Sequence, residues 1–366
     1  MPTDWSRMTN TTINDYIREV EPNVDRNRKL LSLMMSRGLV TFNHEGLMMD
    51  WKVEYKRAPM QGYADNDTLT FSKKDRFKTA QLEWRGYAAT DSMTEIETLK
   101  NKGQAAIIKY YDDIARFLLA DMKSHLGDEL YKDGNAAGNE KIIHGINSLF
   151  GTSGANASAP IGTPSDTYAG LSTVLGNYGG SALTGNWPTG TFDEHYDFWS
   201  PLIVDYTSAV ATASGGWAAT TKTWPNTCEE ALRYGLIKTR KNRNSGMVDL
   251  ILLNDELYRQ FLDKVSPKER LNIRKGDKPG SLYALGFEDT FNFDGCEVSY
   301  EYGVPATEGY GFPLDKMELK SLADKLFNAK GPDYDIASQS YRFAISMYGN
   351  LQFESIRSAL KFDNVS

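Results

Sequence analysis

Residues 92–127 read SMTEIETLKNKGQAAIIKYYDDIARFLLADMKSHLG. Ser92 followed three places on by Glu95 is a capping-box pattern that opens a helix. Behind it Met93, Ile96, Leu99, Gly103, Ile107, Tyr110, Ile114, Phe117, Leu118, Met122 and Leu126 recur at spacings of three and four, and Gly127 follows as a stop. The pattern predicts one helix of roughly 34 residues, about 50 Å long. Its apolar face drifts too far for a strict heptad, so a long helix laid across a small sheet is expected, not a coiled coil.

Upstream lies a ribbon. Residues 49–57 alternate with period two, with Trp51, Val53 and Tyr55 on one face and Asp50, Lys52, Glu54 and Lys56 on the other. A second run, 79–88, places Leu82, Trp84 and Ala88 on one face. The connection, 58–76, reads as polar, with Pro59, Gly62, Asp65-Asn66-Asp67 and the basic cluster Lys73, Lys74, Arg76 and Lys78. Two strands alone are marginal in water, so the ribbon must lean on its own domain or on another chain. The basic cluster is expected to meet acids on a second copy. Residues 1–37 read as an arm, with a short helix near 15–20 and a second over 23–37 that stops at Gly38.

Downstream, residues 142–221 contain no Lys or Arg but carry Trp187, Trp199 and Trp217 among Gly, Ser, Thr, Ala and Asn. An ordered, loop-rich insertion is expected there, since a flexible linker does not normally hold three tryptophans. A helix capped by Asn226 or Thr227, with Glu229 and Glu230 in its first turn, precedes a buried strand over 247–253. Asn254 caps a further helix over 255–265. Strands follow at 281–287, 296–300 and 316–319, with an Asp294-Gly295 turn. Residues 341–348 alternate, and Gly349-Asn350 is read as a turn into a strand over 351–354.

Composition excludes several classes. In 366 residues, 40% are hydrophobic and 24% charged, which is globular and not disordered. No apolar run approaches the roughly 18 residues of a membrane span, and no secretory signal is visible at the start. The formal charge of −7 argues against a domain that grips nucleic acid with a basic face. Cys228 and Cys296 are too few for a disulfide framework or a zinc cage and read as free thiols. Phosphate-loop, zincin, nucleophile-elbow and dinucleotide patterns do not occur. Asp65-Asn66-Asp67 lacks the glycine and distal glutamate of a calcium loop and reads as a solvated turn. His44, His125, His144 and His195 sit at no metal-ligand spacing and read as structural or solvent-facing. No catalytic, cofactor-binding or metal residue is assigned, and no enzymatic activity is expected.

The order of arm, ribbon (Trp51 to Trp84) and long helix (Met93 to Leu126) resembles the major capsid proteins of tailed double-stranded DNA bacteriophages, the Hong Kong 97-type capsid fold. A second stretch resembles them too, running from residues 249–253 through 283–287 to 294–298. So do Ile143-His144-Gly145-Ile146-Asn147-Ser148-Leu149-Phe150, Tyr168-Ala169-Gly170-Leu171-Ser172 and Gly349-Asn350-Leu351. The resemblance implies an α+β fold with this division: arm 1–37, extended loop (E-loop) 38–90, peripheral domain with its spine helix 91–150, insertion 151–225, axial domain 226–330, and a return to the peripheral sheet over 331–366. It implies a structural virion protein, assembled in the bacterial host cytoplasm. Copies would form pentamers and hexamers of an icosahedral head around double-stranded DNA held by non-specific contact. Because the ribbon begins by about residue 42, a separate scaffold protein, or none, is expected. Portal and decoration proteins are the other implied partners. An encapsulin-like compartment shell is the alternative within the fold. A carbohydrate-binding or carbohydrate-active protein is the alternative outside it, suggested by the tryptophans of 142–221.

Overall fold

The computed structural model describes residues 28–55, 60–73, 76–100, 104–151, 154–156, 159–174, 198–240, 247–265 and 289–365, with side chains of the long helix described from Ile114 onward. The expected helix at 15–20 and strand at 281–287 lie outside these residues, as do Lys56, Lys74, Trp187 and His195. Described helices are α1 (Lys29–Ser36), α2 (Glu95–Lys100), α3 (Gln104–Glu129), α4 (Trp224–Thr239) and α5 (Asp255–Val265). The first strands are β1 (Val40–Thr41), β2 (Met48–Glu54), β3 (Phe77–Glu83) and β4 (Arg85–Thr94). Short strands follow: β5 (Gly154–Ala155), β6 (Ile161–Thr163), β7 (Thr167–Tyr168), β8 (Leu171–Ser172) and β9 (Leu202–Asp205). The rest are β10 (Leu250–Leu253), β11 (Phe291–Phe293), β12 (Cys296–Tyr300), β13 (Gly309–Phe312), β14 (Met317–Ser321), β15 (Asn328–Asp335), β16 (Ser340–Phe353) and β17 (Leu360–Asp363).

Two sheets organise the chain. One holds eight strands in the order β11-β12-β10-β13-β17-β9-β6-β5. Its central strand β10, Leu250-Ile251-Leu252-Leu253, is buried throughout because both faces are covered. Leu250 and Leu252 face a core shared with α1, α3 and the second sheet, whereas Ile251 and Leu253 face a core built with α4 and α5. The second sheet has β16 at its centre. Residues 340–349 of β16 pair with β4, residues 340–346 with β15 and residues 349–353 with β14, which carries β1 on its other side.

Several local expectations hold. Gly38, at φ +69, ends α1 with two backbone bonds, Leu39 N–H to Met34 O and Gly38 N–H to Met35 O, the left-handed cap only a glycine adopts at little cost. Asn254 Oδ1 accepts the Glu256 N–H at 3.1 Å and caps α5, whose bounds are those predicted. Asp294 and Gly295 both have positive φ and join β11 to β12.

Others are corrected. The strand β4 runs through Ser92 and Met93 to Thr94, so Ser92 is not a cap. The capping box sits two residues later: Thr94 N–H donates to Glu97 Oε2 and Glu97 N–H to Thr94 Oγ1. Pairing to β16 outbids the earlier helix start, because it satisfies a ten-residue strand. Helix is described over α2 and again over α3, residues 101–103 lying outside the described residues, and Ile96 and Leu99 of α2 are exposed. The buried stripe of α3 is Ile114, Leu118, Met122 and Leu126, continued by Leu130 beyond its end. Gly127 does not stop α3; it lies inside the helix against the Arg28 side chain. The second ribbon run divides at Trp84, with β3 pairing to β2 and β4 to β16. The first position of α4 is Trp224, so Thr223, not Asn226 or Thr227, stands at its N-cap.

Gly349-Asn350 makes no turn. Both lie within the fourteen-residue β16. A Cβ on Gly349 would come 2.3 Å from Lys320 O, so glycine there allows β14 to approach closely. The sheets also cross the expected divisions. β6 and β9, from 151–225, and β17, from 331–366, are built into the eight-stranded sheet. β14, from 226–330, belongs to the five-stranded one, and so does β15, which straddles residue 330.

Candidate assembly surface

The base of the ribbon rests on its own subunit. Trp51 lies 6.4 Å from Trp199 and 6.5 Å from Tyr168 between ring centres, and its Nε1–H donates to Glu354 O. Tyr55 packs on Phe198 at 5.8 Å. Thus the alternating face Trp51, Val53, Tyr55 is turned inward as its period requires, and Trp199 of the Lys/Arg-free segment is one of the rings that receive it. Trp217 is likewise buried, in the second core.

A polar lock closes the base. The Asn350 side chain is fully buried, and its Oδ1 accepts the His144 N–H at 2.9 Å and the Leu351 N–H at 2.9 Å. Its Nδ2 donates to Glu83 O at 2.7 Å and lies 2.8 Å from His144 Nδ1, which makes that nitrogen the acceptor. Burial, helped by the Arg85 guanidinium and opposed by Asn350, lowers the His144 pKa to about 4, so the ring is neutral near pH 7. Tyr87 O–H donates to Glu129 Oε2 at 3.2 Å and accepts the Ile143 N–H at 2.7 Å. The lock thereby ties the end of β3 to β16, and to a loop whose Tyr87 contact reaches α3. His44 plays a lesser part, bonded to Thr41 and stacked on Trp84.

Beyond Tyr55 the ribbon stands off. Its tip is not the polar segment expected from 58–76: Met60 is 99% exposed, Tyr63 72% and Phe71 92%. Leu69 and Phe77 are exposed beside them. Asp65-Asn66-Asp67 is a solvated turn with Asn66 at positive φ and Ala64 N–H bonded to Asp67 Oδ2. The basic cluster is partly spent inside the ribbon, since Arg76 pairs with Glu54 and Lys78 lies over the Tyr55 ring. Sequence reasoning missed the apolar tip because each large side chain is isolated among Gly, Asp, Thr and Ser, so no period announces it. A second exposed corner joins α2 to the β15–β16 turn: Tyr334 O–H donates to Glu95 Oε2, and Ile96, Leu99 and Ile336 face outward.

The arm junction is held by charge. Glu301 Oε2 accepts the Leu30 N–H at 3.0 Å and the Tyr131 O–H at 2.9 Å, and Arg28 pairs with Asp128 at 2.8 Å. Burial pushes the Glu301 carboxyl up to about 7 against these partners. Among the described residues no group of His, Cys, Asp and Glu could hold a metal ion, and no helix is long and apolar enough to cross a membrane.

No family model matches the sequence, and no curated protein matches it. Solved structures do. The capsid asymmetric unit of cyanophage A-1(L) aligns over 95% of this chain and 96% of its own, with a TM-score of 0.62 at 17% identity. The chain has the phage capsid fold of the Hong Kong 97 type. The capsids of a native and an empty GTA particle align over 96% of this chain with TM-scores of 0.55 and 0.54, at 10% and 12% identity. Within that fold the ribbon precedes the long helix α3, in the order expected from sequence.

Proposed function

We propose that this chain is the major capsid protein of a tailed double-stranded DNA bacteriophage, a structural virion component without enzymatic activity. The observation that carries the reading is end-to-end likeness to a capsid subunit, 95% of one chain on 96% of the other, in a subunit whose ribbon tip leaves Met60, Tyr63 and Phe71 in water. A lone soluble subunit gains nothing from such a projection, whereas a lattice buries it against a second copy. On this reading residues 38–90 are the E-loop, α3 is the spine of the peripheral domain, and the eight-stranded sheet with α4 and α5 is the axial domain around five-fold and six-fold axes. Pentamers and hexamers would close an icosahedral head. A separate scaffold, a portal and a decoration protein are the further partners, and the packaged genome is held by non-specific contact.

Negative-stain electron microscopy of the purified chain tests this, with and without co-expressed scaffold. Closed icosahedral shells with nuclease-protected DNA in infected cells are the expected result. Shells that hold protein cargo and no nucleic acid would make it a compartment shell, and a monomer under every condition would overturn the assembly reading.

A further inference from the structure

The buried amide of Asn350, at the foot of the ribbon, has a fixed orientation. Its Oδ1 accepts two backbone N–H groups, from His144 and Leu351, and its Nδ2 donates to the backbone carbonyl of Glu83. Backbone groups cannot exchange donor and acceptor roles, so these three partners decide which end of the amide faces the His144 ring. That end is Nδ2, 2.8 Å from Nδ1, and Nδ1 must accept. A proton on Nδ1 would set donor against donor. Turning the amide over would offer Oδ1 to the ring, but would also set Oδ1 against Glu83 O and Nδ2 against two N–H groups. The arrangement is therefore satisfied only by a neutral ring with its proton on Nε2, and the buried groups around it make any mismatch costly.

The surroundings leave that mismatch one outlet. The His144 loop cannot retreat: a Cβ on Gly145 would lie 2.5 Å from Lys132 O, one on Gly134 would lie 2.7 Å from Ile143 O, and Ile146 N–H donates to Leu130 O at 2.7 Å. Asn350 is held in β16 by its pairing with Lys320 of β14. Glu83 is the last residue of β3, where the ribbon passes through Trp84 into β4. Around the ring, burial and the Arg85 guanidinium of β4 disfavour the imidazolium, whereas Asn350, Glu83 of β3 and Asp133 beyond α3 favour it less strongly. The Tyr87 hydroxyl on the Ile143 N–H stays neutral, because burial raises its pKa. We propose that Asn350 and His144 form a proton-sensitive catch, which ties the end of β3 to β16 while the ring is neutral and lets the ribbon base open when the ring is protonated, with the rest of the subunit still folded. The stacking of Trp51 and Tyr55 on the body remains, so the ribbon loosens at its junction with β4 and is not expelled. The inference rests on bonds within one chain and not on the capsid assignment.

Amide hydrogen exchange of the full chain under non-assembling conditions reads the catch, with each rate normalised to the intrinsic rate at that pH. The ring titrates at about 4 in the closed catch and at 6.5 when free, so the closed form is fully favoured above 6.5 and loses that support as pH falls towards 4. Between pH 7 and pH 5 the equilibrium constant for any opening that frees His144 therefore rises roughly twentyfold. Residues 77–83 should show this rise and exchange faster than β10 at both pH values, and His144→Gln, which takes up no proton, should abolish the rise. Exchange of residues 77–83 as slow as that of β10 would mean that the ribbon opens only with the whole subunit, and overturns the proposal. A rise in the parent no larger than in His144→Gln overturns it too. Should His144→Gln fail to fold, nitrogen NMR of the parent chain, which has four histidines, gives a second reading. One imidazole in the Nε2–H form that titrates well below the others supports the catch, and four that all titrate near 6.5 refute it.

Discussion

Replacing Asn350 by alanine should cost the isolated subunit about 3–5 kcal/mol. The side chain makes four contacts in a site without solvent: two accepted, from His144 N–H and Leu351 N–H, one donated to Glu83 O, and one to His144 Nδ1. Each lost hydrogen bond to a buried partner costs about 1–1.5 kcal/mol, because the partner keeps its desolvation without its bond. Leu351 N–H neighbours Asn350 in the chain and finds water or carbonyl oxygen most easily, so its share is the smallest. Urea unfolding of the subunit under non-assembling conditions measures the loss as a fall in midpoint at constant slope. A double-mutant cycle with His144→Ala should return a coupling of about 1–2 kcal/mol, since the two side chains share two of the four contacts. Because Glu83 ends β3, amide exchange at residues 77–83 should rise more than at β10. A loss under about 1 kcal/mol with no coupling would refute the argument and leave Asn350 a spectator in β16.

Ile114→Asp should prevent folding, since Ile114 is buried on α3 and an unpaired carboxylate there costs several kcal/mol, a large part of a domain's stability; a cooperatively melting, soluble variant would contradict the stripe. The neutral His144 is preferred by the fold, with a pKa of about 4 against 6.5 when unfolded, so its stabilisation is full above 6.5 and is lost as pH falls towards 4. From pH 7 to 5 the parent should therefore lose about 2 kcal/mol relative to His144→Gln in parallel urea titrations. Glu301 acts with opposite sign: its raised pKa of about 7 favours the folded state at low pH and loses that support between 4.5 and 7, so Glu301→Gln should flatten the rise in stability on acidification. Changing Met60, Tyr63 and Phe71 together to Ser should leave subunit melting within about 0.5 kcal/mol, since all three are exposed, yet sharply reduce shell formation by light scattering. Assembly equal to the parent would remove the tip from the interface.

Periodic segments were legible because their signal is local. The alternation of Trp51, Val53 and Tyr55 marked the inward face of β2, the apolar run 250–253 marked a doubly covered strand, and Asn254 placed the start of α5 to the residue. Misread positions are those where a distant partner competes with a local motif. Ser92-x-x-Glu95 is a sound cap in isolation, but β16 offers ten residue pairs to β4 and carries the strand past it. Gly349-Asn350 has turn chemistry, but the strand β14 needs a bare Cα at 349 and the His144 loop needs an amide at 350. The apolar tip escaped because exposure is a property of what surrounds a residue, and single large side chains in a polar run carry no period.

The sequence by itself determined the element order and the ribbon, which follow from hydrophobic period and turn residues along the chain; that order carried the resemblance to phage capsid subunits and the α+β class the resemblance implies. Only the tertiary structure decided which strands share a sheet, that β17 crosses back beside β13, and that Asn350 meets His144 and Glu83. Sheet partners and buried polar clusters are set by long-range pairing and by desolvation, which depend on residues up to several hundred places apart and leave no mark in the local pattern.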